Sequence, residues 1–468
     1  MTLTATDLFC GAGGSSLGAA HAGVSLKMAA NHWQTAIDVH QAHFPDAGHD
    51  CADISQADPR RYPRTDLLMA SPECTNHSQA RGVSRKRQDP TLWDAPDPAA
   101  ERSRATMWDV PRFAEQLRYD VIVVENVVEA TKWVGWRGWH VTMADLGYEH
   151  AIISANSMHH GVPQSRDRIY VVFWRKGLRL DLTQETTVRC QHCAAERTAV
   201  QAFKNGRTVG RYGTQWVWAC TTCGREATPP VRGAVEVIDW SLPCPRIGDR
   251  ARPLAKATRA RILAGLQRYG WAPITTTGAG NVHERTPGNR ARPLTDPLPT
   301  QQTTATSAIA TPPEGMVIPL RRNGRATPAT RPLPTVTAGG THHGLLMRNN
   351  GGGAEMVTPV TEPARTVTTA GHQSLLMPYY SNGQARPTTA PAPTVTTRDR
   401  CAVIDPDTVV DDCGFRMLEP HEIAAAMAFP DGYIPGDLPK KHRVRLAGNA
   451  VTPPVMAWIM GRVVEALA

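Results

Sequence analysis

Short, nearly unbroken apolar runs recur through the first 180 residues, at Ala5–Phe9, Asp66–Ala70, Tyr119–Val124, His150–Ala155 and Ile169–Trp174. Amphipathic stretches separate them. Runs this short and this apolar fit strands buried on both faces, and strands alternating with helices predict an α/β domain built on a parallel sheet. Several runs end in a polar or Gly-rich segment. Ligands bind beyond the carboxyl ends of strands in open α/β sheets, so chemistry is expected in those segments.

The pattern changes after Leu180. Residues 231–400 hold 20 of the 38 prolines and show no long helical periodicity beyond Ala255–Arg268. A related phrase recurs there, as Arg292-Pro-Leu-Thr-Asp-Pro-Leu-Pro-Thr, Thr330-Arg-Pro-Leu-Pro-Thr-Val-Thr, Glu362-Pro-Ala-Arg-Thr-Val-Thr-Thr and Pro391-Ala-Pro-Thr-Val-Thr-Thr. In the middle units a His- and Gly-containing element leads into Leu-Leu-Met, at Leu345–Met347 and Leu375–Met377. Each unit reads as a turn, a short strand, a polar loop and a second strand, because a linker has no reason to repeat an apolar triplet. After Asp405 helical patterning returns, with one helix expected over Leu418–Phe429 and another over Pro453–Leu467, where proline at the first turn costs little.

Composition sharpens this division. The net charge is +9 over 468 residues, yet residues 231–400 alone carry +11 and the remainder −2. An excess built almost wholly from arginine in one region suggests a polyanionic partner, since guanidinium grips phosphate with paired hydrogen bonds. No run approaches the roughly 18 apolar residues of a membrane span. Met1–Leu8 has neither a basic nor an apolar leader region, so the chain is read as cytosolic, with no membrane partner. Ten cysteines in that setting point to thiols, metal ligands or a nucleophile rather than to disulfides. Cys190-Gln-His-Cys193 and Cys220-Thr-Thr-Cys223 have the spacing of a structural zinc ribbon, and a module of about 50 residues needs such a staple. Arg189, Arg197, Arg207 and Arg211 on this insert are candidate DNA contacts.

Asp7-Leu-Phe-Cys-Gly-Ala-Gly-Gly-Ser-Ser-Leu-Gly18 follows the first run and opens a helix, as a backbone that admits a ligand closely should. With this segment in place, the chain resembles the cytosine carbon-5 DNA methyltransferase family. Asp7-Leu-Phe with Gly11 and Gly13 resembles that family's S-adenosylmethionine-binding motif. Cys74, in Ser71-Pro-Glu-Cys, stands at the nucleophile's place. Glu125-Asn-Val and Gln164-Ser-Arg-Asp-Arg168 resemble two further motifs. Arg416-Met-Leu, Glu422 and Phe429-Pro resemble the ninth motif, and Gly448-Asn-Ala-Val the tenth. All occur in the family's order, over roughly residues 1–175 and 413–468.

The resemblance implies a mechanism. Carbon 5 of cytosine is too weak a nucleophile to take a methyl group directly, so a thiolate, Cys74, first adds to carbon 6. Glu125 would act at ring nitrogen 3 as an acid or hydrogen-bond donor, Asn126 would hold the loop, and Arg166 and Arg168 would hold the base carbonyl, orient Glu125 or contact phosphate. The base must leave the stack to be reached. The cofactor residues implied are Phe9, Gly11, Gly13, Asn31, His32, Trp33, Asp53, Ile54, Asn449 and Val451. His32 or Trp33 would offer an aromatic face to adenine, and Asp53 would read its amine. Two positions depart from the family pattern. Glu73 replaces the usual proline before the nucleophile, where a carboxylate raises a neighbouring thiol's pKa, and Asn31 replaces the ribose-binding glutamate.

The expected fold is therefore a Rossmann-like α/β methyltransferase domain with a smaller, mainly β target-recognition domain and a zinc-ribbon insert. The boundaries are 1–180 and 406–468 for the catalytic domain, 181–230 for the insert and 231–405 for recognition. The expected activity is transfer of a methyl group from S-adenosylmethionine to a flipped cytosine in duplex DNA by a monomer, with a cognate restriction endonuclease as a possible partner. A tRNA-methylating enzyme and a catalytically idle zinc-containing DNA-binding protein are the alternatives. Arg321, Arg322 and Arg325 are the densest candidate DNA contacts in the basic region.

Overall fold

A computed structural model describes residues 2–72, 106–269, 272–278, 284, 286, 288–312 and 410–468, together with the backbone of six short strands between 316 and 402. Cys74, Glu73, Arg321, Arg322 and Arg325 lie outside the described residues. The chain divides into two compact units, one formed by Met1–Ile238, Thr295–Ala305 and Glu419–Ala468, the other by Asp239–Leu294 and Thr306–Leu418.

The first unit is organised around a seven-stranded sheet. In chain order its strands are β1 (Thr4–Leu8), β2 (Ser25–Asn31), β3 (Gly48–Cys51), β4 (Leu67–Ala70), β5 (Val121–Asn126), β6 (Tyr148–Asn156) and β8 (Asp167–Arg175), with the short β7 (Gln164–Ser165) preceding β8. Their spatial order is β3-β2-β1-β4-β5-β8-β6. The first five strands in this order run parallel, as expected, but β8 is antiparallel to both β5 and β6, so the sheet is mixed at that edge. The physical reason is the connection. Residues 157–166 carry no helix long enough for a crossover, so β8 can only turn back beside β6.

Alternate residues of the central strands feed two cores. Leu68, Ala70, Ile122 and Val124 face α3 (Asp109–Leu117) and α4 (Trp136–Asp145), where Phe113, Trp139 and Met143 are buried. Leu67, Met69, Val121 and Val123 face the opposite way, onto Val455, Met456, Ile459 and Val463. Those four residues belong to the C-terminal helix Pro453–Leu467, which has the bounds the sequence predicts. Covering both faces explains why β4 and β5 are apolar at nearly every position. The helix expected over Leu418–Phe429 is shorter, Pro420–Ala426, and a further helix, Lys440–Asn449, was not foreseen because its polar, basic sequence offers no apolar stripe.

The first unit also contains a three-stranded antiparallel sheet, β9 (Glu185–Cys190), β10 (Ala195–Phe203) and β11 (Trp216–Cys220), with β10 in the middle. Its own core is small, formed chiefly by Val188, Ala199, Trp216 and Trp218. Within the basic region, Leu298–Pro299 from the first repeat pairs in parallel with β7, so this part of the repeat belongs to the first unit.

The second unit packs the helix Lys256–Arg268 against a four-stranded sheet comprising Arg292–Pro293, Ile274–Thr277, Ser307–Thr311 and Gly414–Met417. Ile262, Leu266, Ile274, Ala308 and Phe415 fill its core. Leu375–Pro378, in the third repeat, is a strand. Among the described residues no helix is long and apolar enough to cross a membrane.

Candidate active site and four-cysteine cluster

The Gly-rich turn lies beyond the carboxyl end of β1. Phe9, Gly11 and Gly13 all take positive φ (61°, 55° and 90°), so the chain reverses tightly before the helix α1, Gly14–His21. For Phe9 this is a conformation an L side chain rarely adopts, and such strain concentrates at functional turns. Gly14 has a different constraint: a Cβ there would stand 2.0 Å from the carbonyl oxygen of Val451. The turn and the Gly448-Asn-Ala-Val segment are thus in backbone contact, which sets Val451 against the start of α1.

Asp7, at the penultimate position of β1, is fully buried. Its Oδ2 accepts the Ser16 hydroxyl at 2.7 Å, while its Oδ1 has no hydrogen-bond partner among the described residues. Burial pushes its carboxyl up to about 7 although Ser16 opposes the shift. The hydrogen-bond chain continues from Ser16 to His40 Nε2 (2.9 Å) and from His40 Nδ1 to His49 (2.8 Å). At the end of β2, Asn31 is buried and its Oδ1 accepts the Trp33 amide at 3.0 Å. The Arg445 guanidinium lies over the Trp33 ring, 4.3 Å from its centroid, and His442 meets the ring edge-on. His32 is exposed. Asp53 caps a short turn through Ser55 N, Ile54 is buried within that turn, and Asn449, ending its helix, is exposed.

The second group of residues lies where β4 and β5 end side by side. Glu125 is buried and forms an ion pair with Arg168, Oε1 to Nε, at 2.9 Å. Asn126 donates to the Pro72 carbonyl at 3.4 Å and accepts the Val127 amide at 2.8 Å. It therefore ties the Glu125 loop to the segment two residues before Cys74. The two arginines part company. Arg166 sits between β7 and β8 and donates to the carbonyls of Gln301, Gly448 and Ala450 at 3.1–3.3 Å, whereas Arg168 pairs with Glu125. Gly448 is required at this junction, because a Cβ would lie 2.2 Å from the Gln302 carbonyl oxygen. Between the arginines, Asp167 Oδ1 accepts Asn156 Nδ2 at 3.0 Å and the Tyr212 amide at 2.9 Å. Sequence reasoning assigned nothing to Asp167 or Asn156, and no local pattern distinguishes them from ordinary strand-end polar residues.

The four cysteines of the insert converge. Cys190 and Cys220 end β9 and β11, the tight turns after them return Cys193 and Cys223, and the four sulfurs lie within 4.8 Å of one another. Cys190 and Cys223 are 3.7 Å apart, close to the ~3.8 Å separation of two thiolates on one tetrahedral zinc with Zn–S bonds of ~2.3 Å. Arg211, grouped above with candidate DNA contacts, is instead ion-paired with Glu129.

Residues 3–216 match the family model of C-5 cytosine-specific DNA methylases. The match takes in the Gly-rich turn, Cys74, Glu125, Arg166 and Arg168. Type II methyltransferase M.AgeI of Thalassovita gelatinovora is 29% identical over 199 residues, 39% of this chain and 42% of that protein. M.HhaI of Haemophilus parahaemolyticus is 28% identical over 37% of this chain and 50% of its own length, and M.HgiDI of Herpetosiphon aurantiacus 28% over 38% and 53%. The chain spans about half the length of the curated relatives it matches.

Proposed function

We propose that the protein is a DNA cytosine-5 methyltransferase. The observation that carries this reading is the strand-end junction: Asn126 holds the Pro72 carbonyl just ahead of Cys74, next to a Glu125 whose carboxylate is set by Arg168. A nucleophile and a base-binding carboxylate from adjacent strands is the arrangement that addition to a pyrimidine ring needs.

In this reaction Cys74 adds as a thiolate to carbon 6 of a flipped cytosine, and Glu125, protonated when it meets the base, donates to ring nitrogen 3 and so neutralises the charge pushed onto the ring. Arg168 keeps Glu125 in place. S-adenosylmethionine, when bound, supplies the electrophilic methyl group. After carbon 5 has gained the methyl, a water molecule takes its proton, the freed electron pair re-forms the carbon 5–carbon 6 double bond, and the bond to Cys74 breaks with the thiolate restored. Positive-φ residues Phe9, Gly11 and Gly13, the unsatisfied Asp7 Oδ1 and the buried Asn31 fit a small polar ligand at the ends of β1 and β2. Arg166 is a positioning residue for the Gly448–Val451 segment. Zinc fits Cys190, Cys193, Cys220 and Cys223 as a closed, structural ion with no open coordination position. The basic region 231–400 selects the DNA sequence.

Purified protein incubated with labelled donor should label duplex DNA and leave tRNA unlabelled. A cytosine analogue blocked at carbon 5 should be trapped covalently on Cys74. Labelling of tRNA alone would assign the RNA-modifying activity, and labelling of neither would leave a DNA-binding protein without transfer activity.

A further inference from the structure

The loop joining β10 to β11 exposes Asn205–Thr208 and then turns inward at Val209–Tyr212. It returns to the catalytic sheet and touches it at both sides of the Glu125–Arg168 pair. Arg211 forms an ion pair with Glu129, four residues beyond Glu125. The Tyr212 amide donates to Asp167 Oδ1 at 2.9 Å, one residue before Arg168. Val209 packs against Val128, Ala130 and Ile169, the last immediately after Arg168. The Gly210 amide donates to the Ser154 hydroxyl at 3.0 Å, and Gln201 and Gln184 donate to the Ser154 carbonyl at 2.8 and 3.0 Å on the neighbouring strand β6. Polar and apolar contacts thus reach three segments of the sheet, around Glu129, Ser154 and Asp167, and two of these flank the candidate catalytic carboxylate and its arginine.

We propose that the four-cysteine insert is a positioning element for the Glu125–Arg168 pair, acting through Arg211 on Glu129 and through the Tyr212 amide on Asp167. This rests on the methyltransferase reading for its catalytic consequence, but not for its structural one. The physical argument is one of constraint. Glu129 and Asp167 lie on segments that only short backbone connections tie to Glu125 and Arg168. The insert holds both segments from outside, while its own fold depends on four sulfurs rather than on a large core. A small displacement of a catalytic group costs far more in rate than in stability.

The test uses the full chain, comparing wild type with Arg211→Ala, Arg211→Lys and, as a control, Thr208→Ala, an exposed residue of the same loop. Backbone hydrogen exchange over residues 164–169 should quicken about tenfold in Arg211→Ala and stay at the wild-type rate over β1 and β4. Single-turnover methyl transfer to duplex DNA should fall about tenfold or more while KM for the donor changes less than twofold. Arg211→Lys should recover part of both losses and Thr208→Ala should show neither. Exchange over 164–169 equal to wild type in Arg211→Ala overturns the proposal whatever the activity, and so does an altered exchange with an unaltered single-turnover rate. A wild-type chain that methylates no nucleic acid overturns the methyltransferase reading instead, and the exchange result still decides whether the insert restrains this stretch.

Discussion

The central sheet and the four-cysteine insert sit in the same unit of the chain, yet different physics holds each together. Strands β4 and β5 are apolar at almost every position because helices cover both faces, and the resulting cores bury Phe113, Trp139, Tyr170, Phe173 and the methionines of the C-terminal helix. The insert has three strands, a handful of buried side chains and four converging sulfurs. A sheet held by volume loses stability in small steps as side chains are trimmed, whereas a module held by a cluster of ligands loses it in one step when a ligand goes. The difference also bears on chemistry. The end of β5 and the start of β8 carry Glu125 and Arg168, and the insert, which carries neither, contacts the segments beside them.

The largest effect expected concerns the strand ends alone. Cys74→Ser should abolish methyl transfer, by a factor of about a thousand or more, because a serine hydroxyl is far too weakly acidic to replace the thiolate. Metal content and DNA binding should be unchanged. Near-normal turnover would show that the nucleophile lies elsewhere.

Next in size, Arg166→Ala should destabilise the first unit by roughly 3–5 kcal/mol, since three backbone carbonyls lose a charged donor in a buried site. Arg168→Ala should cost less stability and more turnover. Denaturant unfolding of the two variants side by side is the measurement, and equal stability losses would erase the distinction between them.

Cys220→Ala acts on the other region. Bound zinc, measured by metal analysis on protein purified without chelators, should fall from about one per chain to none, with the insert unfolding locally while donor binding at β1 and β2 persists. No zinc in the wild type would show that the insert is held without metal.

The smallest effect is the pH dependence. Burial lowers His40 and His159 to about 3 and His140 and His160 to about 4. These rings stay neutral in the fold while the unfolded chain takes up protons below about 6.5. Their contribution is complete above that pH and is lost as pH falls toward 4. Asp7 works the other way. With its carboxyl at about 7, the fold keeps a proton that the unfolded chain has released, so stability falls as pH rises from about 4 to 7. Asp109 and Asp167, also raised by burial, act with Asp7, and His49 and His150, also lowered by burial, act with the other four histidines; the six histidines outnumber the three aspartates, and Tm should drop between pH 7 and pH 5. His40 belongs to the sheet side and His159 packs against Tyr212, Trp216 and Trp218 of the insert. A conservative replacement of each should flatten the profile, and a Tm that rises on acidification would contradict the assignment.

The sequence by itself determined five of the seven strands of the central sheet, though not Ser25–Asn31 or Gly48–Cys51, together with the bounds of the C-terminal helix, the grouping of four cysteines by spacing and the order of the candidate catalytic residues. These are local properties: an apolar run is legible because both faces of its strand are covered, and a Cys-x-x-Cys pair is legible because a tight turn brings its own two sulfurs together. Tertiary structure alone decided that β8 runs against its neighbours, that Arg166 turns to three carbonyls while Arg168 meets Glu125, and that Arg211 crosses to Glu129. Arg166 and Arg168 are two residues apart and chemically identical, so nothing in their spacing separates their roles. Their partners come from residues 125, 301, 448 and 450, and which carbonyl or carboxylate lies within reach of a guanidinium is fixed only when distant segments pack.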